Sequence, residues 1–318
     1  MPLMGQHMTI MSFNVENLFD ANNDSLKQDE EFLPESTHRW TWGRYWRKIE
    51  DISRVIMGIG GDEPPALIAL QEVENDSCMI ALTRRGPLWS IHYKYVMTDS
   101  PDHRGIDVAL MYQPEKFRLL GYESRRVPSE QYGLRPTRDI LYVRGYIPSG
   151  DTLHIAVCHL PSRAGNSQES RRNRKLAVNT LCQLVDSLLT NIPNCRLVIM
   201  GDFNATLRDK DLKPLVAMKS ICPLTPSKKR PISGSYRFQG NWAWIDHILV
   251  SQSLIDNVSK ARLYTQPWMQ RTMSDGSWYP RRTYLGTNYN GGVSDHVPVY
   301  IDFAPLSNSP EGEKRSTP

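Results

Sequence analysis

Short apolar runs that end in polar residues alternate with amphipathic stretches along the first part of the chain. Residues 8–14 (Met-Thr-Ile-Met-Ser-Phe-Asn) predict a strand, and a polar insertion follows to about residue 42. Apolar residues then recur at helical spacing over residues 44–59, and a pair of glycines predicts the end of that helix. Residues 66–70 predict a short buried strand. The order strand, helix, strand indicates an α/β fold.

Strand-like runs dominate the rest of the chain, with one long amphipathic helix among them. The helix is predicted over residues 167–189 and begins with a basic cluster. The strand-like runs cover residues 93–97, 108–112, 117–122, 140–147, 153–160, 197–200, 243–251 and 297–303. This succession fits two sheets with helices on the outside. No repeat or Pro/Gly/Ser-rich linker interrupts it, so we predict one domain over residues 1–305 and a disordered tail over residues 306–318.

The composition is that of an ordinary soluble globular protein. Of the 318 residues, 40% are hydrophobic and 23% are charged. No apolar run approaches the roughly 20 residues that cross a bilayer. The start of the chain lacks the basic and apolar regions of a signal peptide. These features predict a cytoplasmic protein without a transmembrane segment, and we expect it to be monomeric.

The cysteines bear on disulfides and zinc binding, and the net charge bears on the class of partner. The 5 cysteines are widely spaced and contain no C-x-x-C motif, which argues against a disulfide framework or a zinc site. The net charge of +4 suits a phosphate-bearing partner. It falls short of the strongly basic surface of a dedicated nucleic-acid-binding protein.

Polar residues suited to metal and phosphate chemistry stand at the ends of the strand-like runs. The segments are Asn14-Val15-Glu16-Asn17, Leu70-Gln71-Glu72, Cys158-His159-Leu160-Pro161-Ser162, Gly201-Asp202-Phe203-Asn204, Trp244-Ile245-Asp246-His247 and Gly292-Val293-Ser294-Asp295-His296. Polar groups at one end of a sheet converge on one cleft, where α/β folds bind ligands. Carboxylates and amides are hard oxygen ligands, which suit Mg²⁺, Mn²⁺ or Ca²⁺ better than zinc. Each segment alone also fits a turn, a helix cap or a surface ion pair, but together they favour one site.

As an ordered set, these motifs resemble those of the endonuclease/exonuclease/phosphatase superfamily, which includes deoxyribonuclease I-like enzymes. The resemblance rests on Asn-Val-Glu-Asn, Gln-Glu, His-x-Pro-Ser, Gly-Asp-Phe-Asn, Ile-Asp-His and Ser-Asp-His, and it extends from Thr9 to about Phe303. It implies a four-layer α/β sandwich in which two packed mixed β-sheets are flanked by helices. It also implies that residues 1–305 form a catalytic domain for phosphoester hydrolysis.

The resemblance implies a metal site to which four residues contribute. Glu72 resembles the principal metal-ligand glutamate of the superfamily, and Asn14 assists it. Glu16 and Asp295 resemble outer or second-site ligands. Mg²⁺ is the expected cofactor, with Mn²⁺ or Ca²⁺ as alternatives. Because some members carry aspartate at the position of Glu16, one-metal and two-metal chemistry both remain open.

The resemblance also implies five catalytic residues. Asp202 resembles the aspartate that orients or deprotonates the attacking water, and Asn204 resembles the amide that holds a phosphate oxygen. His296 resembles the imidazole at the scissile phosphate, paired with Asp246, and His159 lies where members place a histidine or tyrosine near the leaving group. Phosphodiester hydrolysis needs charge neutralisation at phosphorus and a base for water. A carboxylate beside His296 is expected to raise the pKa of the imidazole.

Two residues and two segments are further candidates for substrate binding. Arg138 resembles a phosphate-contacting arginine of the deoxyribonuclease branch, although a surface arginine at a strand end fits equally well. Asp107 is a candidate to orient His159 or to pair with Arg138. Residues 264–290 interleave aromatic residues with arginines, which either stack on bases or pack on the domain surface. Residues 227–230 form a basic loop that would bind nucleic acid only if it flanks the cleft.

The resemblance implies a divalent-metal-dependent phosphodiester hydrolase, and we favour an endonuclease-type nuclease acting on nucleic acid. One alternative is a phosphatase or phosphodiesterase for a small phosphorylated metabolite or lipid headgroup. Another is a non-catalytic relative that binds phosphorylated partners, against which the full set of motif residues argues. The substrate, and the choice between endo- and exonucleolytic cleavage, stay open because the superfamily shares its catalytic core across substrates.

Overall fold

The computed structural model describes residues 7–60, 63–163, 168–226 and 234–304, so the predicted basic loop at residues 227–230 and the predicted tail at residues 306–318 lie outside the described residues. The strands of the described chain are β1 Met8–Leu18, β2 Leu67–Val73, β3 Lys94–Met97, β4 Asp107–Tyr112, β5 Arg118–Arg125, β6 Ile140–Tyr146, β7 Thr152–His159, β8 Arg196–Asp202, β9 Ile221–Pro223, β10 Tyr236–Phe238, β11 Asn241–Ala243, β12 Asp246–Ser251, β13 Arg262–Leu263, β14 Gln270–Thr272, β15 Trp278–Pro280, β16 Tyr284–Leu285, β17 Asn288–Tyr289 and β18 Val299–Phe303. The α-helices are α1 Trp42–Met57, α2 Asp76–Ile80, α3 Gln168–Asn191 and α4 Lys213–Val216. A π-helical turn covers Ala81–Arg85, and 3₁₀ turns cover Glu30–Phe32, Pro87–Ile91, Glu130–Tyr132, Gln252–Asn257 and Pro267–Met269.

The larger strands form two mixed sheets of 6 strands each. The first sheet has the order β13-β18-β1-β2-β4-β3, and the second has the order β5-β6-β7-β8-β12-β9. Within each sheet the two central strands are parallel, β1 with β2 and β7 with β8, while the other pairs are antiparallel. Helices cover the outer face of each sheet. The predicted four-layer α/β sandwich is therefore confirmed.

Apolar side chains fill the space between these layers. The inner cluster joins side chains of both sheets, among them Leu110 and Ile155. A second cluster holds α1 against the first sheet through a stripe that includes Ile52, and a third holds α3 against the second sheet through Leu181. Each such fully buried side chain stabilises the fold by about 1.5–3 kcal/mol. In the part of the chain that the structure describes, no helix combines the length and apolar character that crossing a bilayer requires.

Among the strand boundaries that differ from the prediction, two have local reasons. The run predicted over residues 243–251 is divided between β11 and β12, because the backbone N–H of Ile245 donates to Ser235 Oγ instead of continuing the ladder. The run predicted from residue 297 starts two positions later, as β18, since Pro298 has no N–H to offer a neighbouring strand. Both changes fall beside the polar segments of the sequence.

Gly201 lies near the polar end of β8, where the backbone conformation admits no side chain. Its φ angle is +149°, and a Cβ atom there would lie 1.9 Å from the carbonyl oxygen of Cys158 on β7. We therefore expect Gly201→Ala to lower the free energy of unfolding by about 2–4 kcal/mol, as measured by urea denaturation. Gly121→Ala is the control, because a Cβ there meets only Arg144 Nε, at 3.6 Å. Similar stability of the two variants would contradict this account.

Candidate active site

The parallel strand pairs bring the predicted polar residues to one edge of the sandwich. β1 and β2 run in the same direction with Asn14 opposite Gln71, and β7 and β8 do so with His159 opposite Asp202. β12 is antiparallel to β8, so its first residue, Asp246, also stands opposite Asp202. Asn14 Nδ2 donates to Asp202 Oδ2 at 3.1 Å and connects the two sheets at this edge.

Left-handed backbone conformations lie at the same edge. Glu16, Asn17, Glu72 and Asn204 have φ angles of +52°, +54°, +64° and +48°, which residues other than glycine rarely adopt. Glu72 lies where the pairing of β2 with β4 shifts register, and Glu16 lies in the irregular part of the pairing of β1 with β2. Such bulges re-aim side chains. Three of the predicted site residues, Glu16, Glu72 and Asn204, therefore have strained backbone conformations.

Asp202 is the centre of the site and is held by amides. Its Oδ2 atom accepts hydrogen bonds from Asn14 Nδ2 and Asn204 Nδ2, each at 3.1 Å, and its Oδ1 atom accepts from the backbone N–H of Asn204 at 2.8 Å. Burial of the carboxyl, together with the nearby charge of Asp246, raises the pKa of Asp202 to about 7. A carboxylate with that pKa can accept a proton from water near neutral pH.

His296 and Asp246 form a buried ion pair beside Asp202. His296 Nδ1 lies 2.9 Å from Asp246 Oδ2, and His296 Nε2 lies 3.8 Å from Asp202 Oδ2. Burial opposes the charged ring, but the carboxylates of Asp246, Asp202 and Asp295 outweigh it and raise the pKa of His296 well above its usual value. The imidazole is therefore cationic at neutral pH. It packs on the ring of Tyr236, with 4.9 Å between the centroids.

His159 faces the same carboxylates but is neutral. Its Nε2 atom lies 3.5 Å from Asp202 Oδ2 and 3.7 Å from Glu72 Oε1. Burial lowers the pKa of His159 well below its usual value, and the charge of Arg138 lowers it further. Its Nδ1 atom has no hydrogen-bond partner within the described residues. The site therefore contains one cationic and one neutral imidazole.

Glu72 and Asn14 meet where the sequence predicts a metal. Glu72 Oε1 accepts from Asn14 Nδ2 at 3.3 Å, and Glu72 Oε2 accepts from the backbone N–H of Asn17 at 2.9 Å. Carboxylate and amide groups, with no cysteine among the described lining residues, suit a hard divalent cation. The donor set therefore fits the predicted Mg²⁺. Asp202, Asp246 and His296 form a second group whose possible ligand atoms lie within 4.8 Å of one another. The protonated imidazole of His296 disfavours a cation in that group.

Arg282 bridges the two carboxylates that the sequence predicts as outer metal ligands. Its Nε atom lies 3.2 Å from Glu16 Oε1, and its Nη2 atom donates a hydrogen bond to Asp295 Oδ2. The other oxygen of Glu16 accepts from the backbone N–H of Thr283 at 2.7 Å. Glu16 and Asp295 thus lie at the cleft as predicted, and both are paired with a guanidinium that no motif of the sequence indicated.

Arg138 lies behind the cleft, beneath the end of the strand that carries His159. Its Nη1 atom donates to Asp102 Oδ2 at 3.0 Å, and its Nη2 atom donates to the carbonyl oxygen of Leu160 at 3.2 Å. The guanidinium is buried and is not among the residues that line the cleft. Arg138 therefore acts on the site through its charge, which lowers the pKa of His159. The predicted contact of Arg138 with a phosphate has no support.

Asp107 is also buried, at the start of β4. Its Oδ1 atom accepts hydrogen bonds from the hydroxyls of Thr98 and Ser100 and from the backbone N–H of Ser100. These partners replace the predicted pairing with His159 or Arg138. Burial raises the pKa of Asp107 to about 6.

Asp107→Asn is expected to make stability less dependent on pH. The folded-state pKa of about 6 exceeds the ordinary value of 3.8, so the stability that this acid contributes is present below that ordinary value and is lost as the pH rises through 6. The loss is about 3 kcal/mol. Urea denaturation should find the two proteins similar at pH 4 and Asp107→Asn more stable at pH 8, with the exposed Asp99→Asn as control. A less stable Asp107→Asn at pH 8 would overturn the prediction.

The cleft around Asp202 is lined by basic and aromatic side chains that no motif indicated. Its volume is about 770 Å³. The lining residues outside the predicted set are Asn17, Arg104, Ser162, Arg163, Thr206, Tyr236, Phe238, Ala243, Ile245 and Arg282. Isolated arginines and aromatics have no spacing that marks them in a sequence. Among them, Arg104, Arg163 and Arg282 bring positive charge to the cleft, and the exposed ring of Phe238 also lines it.

The aromatic residues and arginines at residues 264–290 mainly pack on the domain surface. The guanidinium of Arg54 stacks 4.4 Å from the ring centroid of Trp268, and that of Arg44 stacks 4.3 Å from that of Tyr289. From this segment Arg282 lines the cleft. Surface packing therefore accounts for these aromatic residues, and one arginine carries the contact with the site.

A model of the endonuclease/exonuclease/phosphatase family matches residues 9–305. A search of curated proteins found no match.

Solved structures of low sequence identity share the fold over nearly the whole chain. An endonuclease/exonuclease/phosphatase family protein from Bacteroides thetaiotaomicron is 16% identical, with a TM-score of 0.63 and coverage of 95% of this chain and 100% of that one. Mannosyl-6-phosphatase Bt3783 of Bacteroides thetaiotaomicron is 17% identical, with a TM-score of 0.60 and coverage of 92% and 98%. TDP2 of D. rerio, complexed with single strand DNA product, is 16% identical, with a TM-score of 0.58 and coverage of 94% and 99%.

Proposed function

The chain belongs to the endonuclease/exonuclease/phosphatase family, whose members are phosphoesterase hydrolases, and we propose that it is a divalent-metal-dependent phosphodiesterase acting on nucleic acid. The placement of Asp202 carries the proposal. This buried carboxylate has a pKa of about 7 and lies between a cationic His296 and a neutral His159. The set contains a base for water and a cation for developing negative charge, as phosphodiester hydrolysis requires.

Glu72 and Asn14 would hold the divalent cation, Mg²⁺ in the first place and Mn²⁺ or Ca²⁺ as alternatives. When bound, the cation neutralises charge on the phosphate. Asn14 connects the two functions of the site, because its Nδ2 atom donates to both Glu72 and Asp202. An amide shared in this way holds the metal-binding carboxylate and the base at a constant separation.

The remaining residues act on the phosphate and on protons. Asp202 accepts the proton of the attacking water, and the Asn204 amide, which lies beside Asp202, contacts a phosphate oxygen. His296 stabilises the negative charge that develops on the phosphorus oxygens, and Asp246 keeps its ring charged and oriented. The neutral His159 is placed near the leaving oxygen, which its ring can contact by a hydrogen bond and which takes its proton from solvent.

Basic and aromatic groups at the cleft support a nucleic-acid substrate. Arg104 and Arg163 line the cleft with partly exposed side chains, and the ring of Phe238 is available for stacking on a base. A cleft of about 770 Å³ also accommodates a small phosphate ester. A phosphatase or phosphodiesterase for a phosphorylated metabolite or lipid headgroup is therefore the second candidate.

A hydrolysis panel separates these candidates. Purified protein would be assayed with Mg²⁺, Mn²⁺ or EDTA on single-stranded DNA, plasmid DNA, RNA, an abasic-site duplex, inositol phosphates and bis(p-nitrophenyl) phosphate. We expect metal-dependent cleavage of nucleic acid that Asp202→Asn, purified in parallel, does not show. Cleavage of small esters alone would contradict the nuclease proposal. Inactivity on every substrate with each metal would contradict the hydrolase proposal.

A further inference from the structure

We propose that Arg282 takes the place of a second divalent cation beside Glu16 and Asp295, so that the site binds one metal ion, at Glu72. This inference rests on the proposed function. In this proposal Glu16 and Asp295 bind an arginine side chain instead of a metal ion. The guanidinium of Arg282 also binds the phosphate of the substrate.

Arg282 contacts the carboxylates of Glu16 and Asp295 simultaneously. Its Nε atom approaches Glu16 Oε1 at 3.2 Å, its Nη2 atom is hydrogen-bonded to Asp295 Oδ2, and the second oxygen of Glu16 is taken by the backbone N–H of Thr283. A guanidinium can bridge two carboxylates in this way, because its five N–H donors lie in one plane and point in different directions. A cation between Glu16 and Asp295 would have to displace it.

Two basic side chains already lie beside the two carboxyl groups on this side of the cleft. Behind Glu16 lies the buried Lys48, whose Nζ atom donates to Thr283 Oγ1 at 2.6 Å and to the carbonyl oxygen of Val293 at 3.2 Å. Two basic groups thus accompany two carboxylates. A further divalent cation there would meet the repulsion of Arg282 at close range.

The Glu72 side of the cleft has fewer basic side chains than carboxyl groups. Glu72, Asp202 and Asp246 are three carboxyl groups, and the basic side chains paired with them are His296 and Arg104. Arg104 approaches Glu72 Oε2 no closer than 3.8 Å, and 47% of its side chain is exposed to water, which screens its charge. The excess negative charge therefore lies at Glu72, where one divalent cation is favoured.

Arg282 also remains accessible to substrate. Its side chain is 42% exposed and lines the cleft. A guanidinium has five N–H donors, and the two carboxylates engage two of its nitrogen atoms. The others are available to a phosphate oxygen, so Arg282 supplies a fixed positive charge next to the single metal.

Counting bound Mn²⁺ on the full chain tests this inference. Isothermal titration calorimetry, with electron paramagnetic resonance of free Mn²⁺, should give one site per native chain and two sites for Arg282→Gln. Arg163→Gln is the matched control, because Arg163 also lines the cleft and pairs with one carboxylate, Asp209, at 2.6 Å. It should leave the count at one. Arg282→Gln should also raise the KM for bis(p-nitrophenyl) phosphate about 10- to 100-fold.

The other outcomes overturn the inference. Two Mn²⁺ on the native chain would show that Arg282 does not exclude the second ion, and one Mn²⁺ on folded Arg282→Gln would show that something else does. If Arg282→Gln does not fold, Arg282→Lys decides: one Mn²⁺ with a raised KM supports the inference, and two Mn²⁺ or an unchanged KM overturn it. Failure of the proposed function is distinguishable from failure of this inference, since the native chain would then bind no Mn²⁺ and hydrolyse no substrate.

Discussion

Asp202→Asn is expected to lower kcat about 10³- to 10⁵-fold while the protein stays folded. The asparagine side chain keeps the size of the aspartate but cannot take a proton from water. Its effect on stability should stay within about 2 kcal/mol, because removing a buried charge offsets the loss of acceptors for Asn14 and Asn204. Steady-state kinetics on the best substrate of the panel, together with urea denaturation, would measure both quantities.

Asp211→Asn is the matched control for this prediction. Asp211 is a second buried aspartate, whose Oδ2 atom accepts a hydrogen bond from Arg174 Nε at 3.0 Å away from the cleft. Breaking a buried pair of this kind costs about 3 kcal/mol of stability and should leave kcat near the native value. Asp202→Asn should therefore lose kcat and keep most of its stability, whereas Asp211→Asn should lose stability and keep its kcat. A near-native kcat for Asp202→Asn would remove Asp202 from the role of base.

His296→Ala is expected to lower kcat about 10³- to 10⁴-fold. The imidazolium is the positive charge nearest to Asp202 in the buried part of the site, and the alanine variant has no group to replace it. Asp246 would also lose its partner 2.9 Å away, so we expect the free energy of unfolding to fall by about 3 kcal/mol. Kinetics must be measured at a temperature where circular dichroism shows the variant folded.

A double-mutant cycle tests whether Asp246 acts through His296. Asp246→Asn alone should lower kcat about 10²- to 10³-fold, because asparagine can accept the hydrogen bond of the ring but does not stabilise its charge. In the His296→Ala background the same substitution should have little further effect. Additive losses would show that Asp246 acts on the substrate by itself. Full activity of Asp246→Asn would show that the charge of the ring is unimportant.

The sequence predicts most of the fold because its strongest signals are local. The buried strands β1, β2, β7 and β8 are apolar runs bounded by polar segments, and α1 and α3 repeat apolar residues at helical spacing. Their types were predicted correctly. Boundaries such as the break at Ile245 could not be predicted, since a hydrogen bond to a distant serine determines it.

For the candidate site, the sequence predicts which motif residues come together but not all of their contacts. Motif residues such as Asp202, Asp246 and His296 lie together as expected, because Asp202 ends β8, Asp246 begins β12 and His296 closely precedes β18 at the same edge. Arg282 lies in the segment 264–290 that was a candidate for substrate binding, but its pairing with Glu16 could not be predicted, because Glu16 stands 266 positions away in the chain and no periodic pattern connects them. Asp107 has partners other than the predicted ones, since the path of a buried side chain depends on packing that the sequence does not display.

The sequence by itself determined which chemical groups stand at the strand ends, and with them the family and the class of reaction. Only the tertiary structure decided what each group can do. His159 and His296 are the same residue type, yet one is neutral and the other is cationic. Burial and the distances to carboxylates on other strands decide this charge, just as they pair Glu16 and Asp295 with Arg282. Such distances exist only in the folded chain, because the groups that set them are remote in sequence.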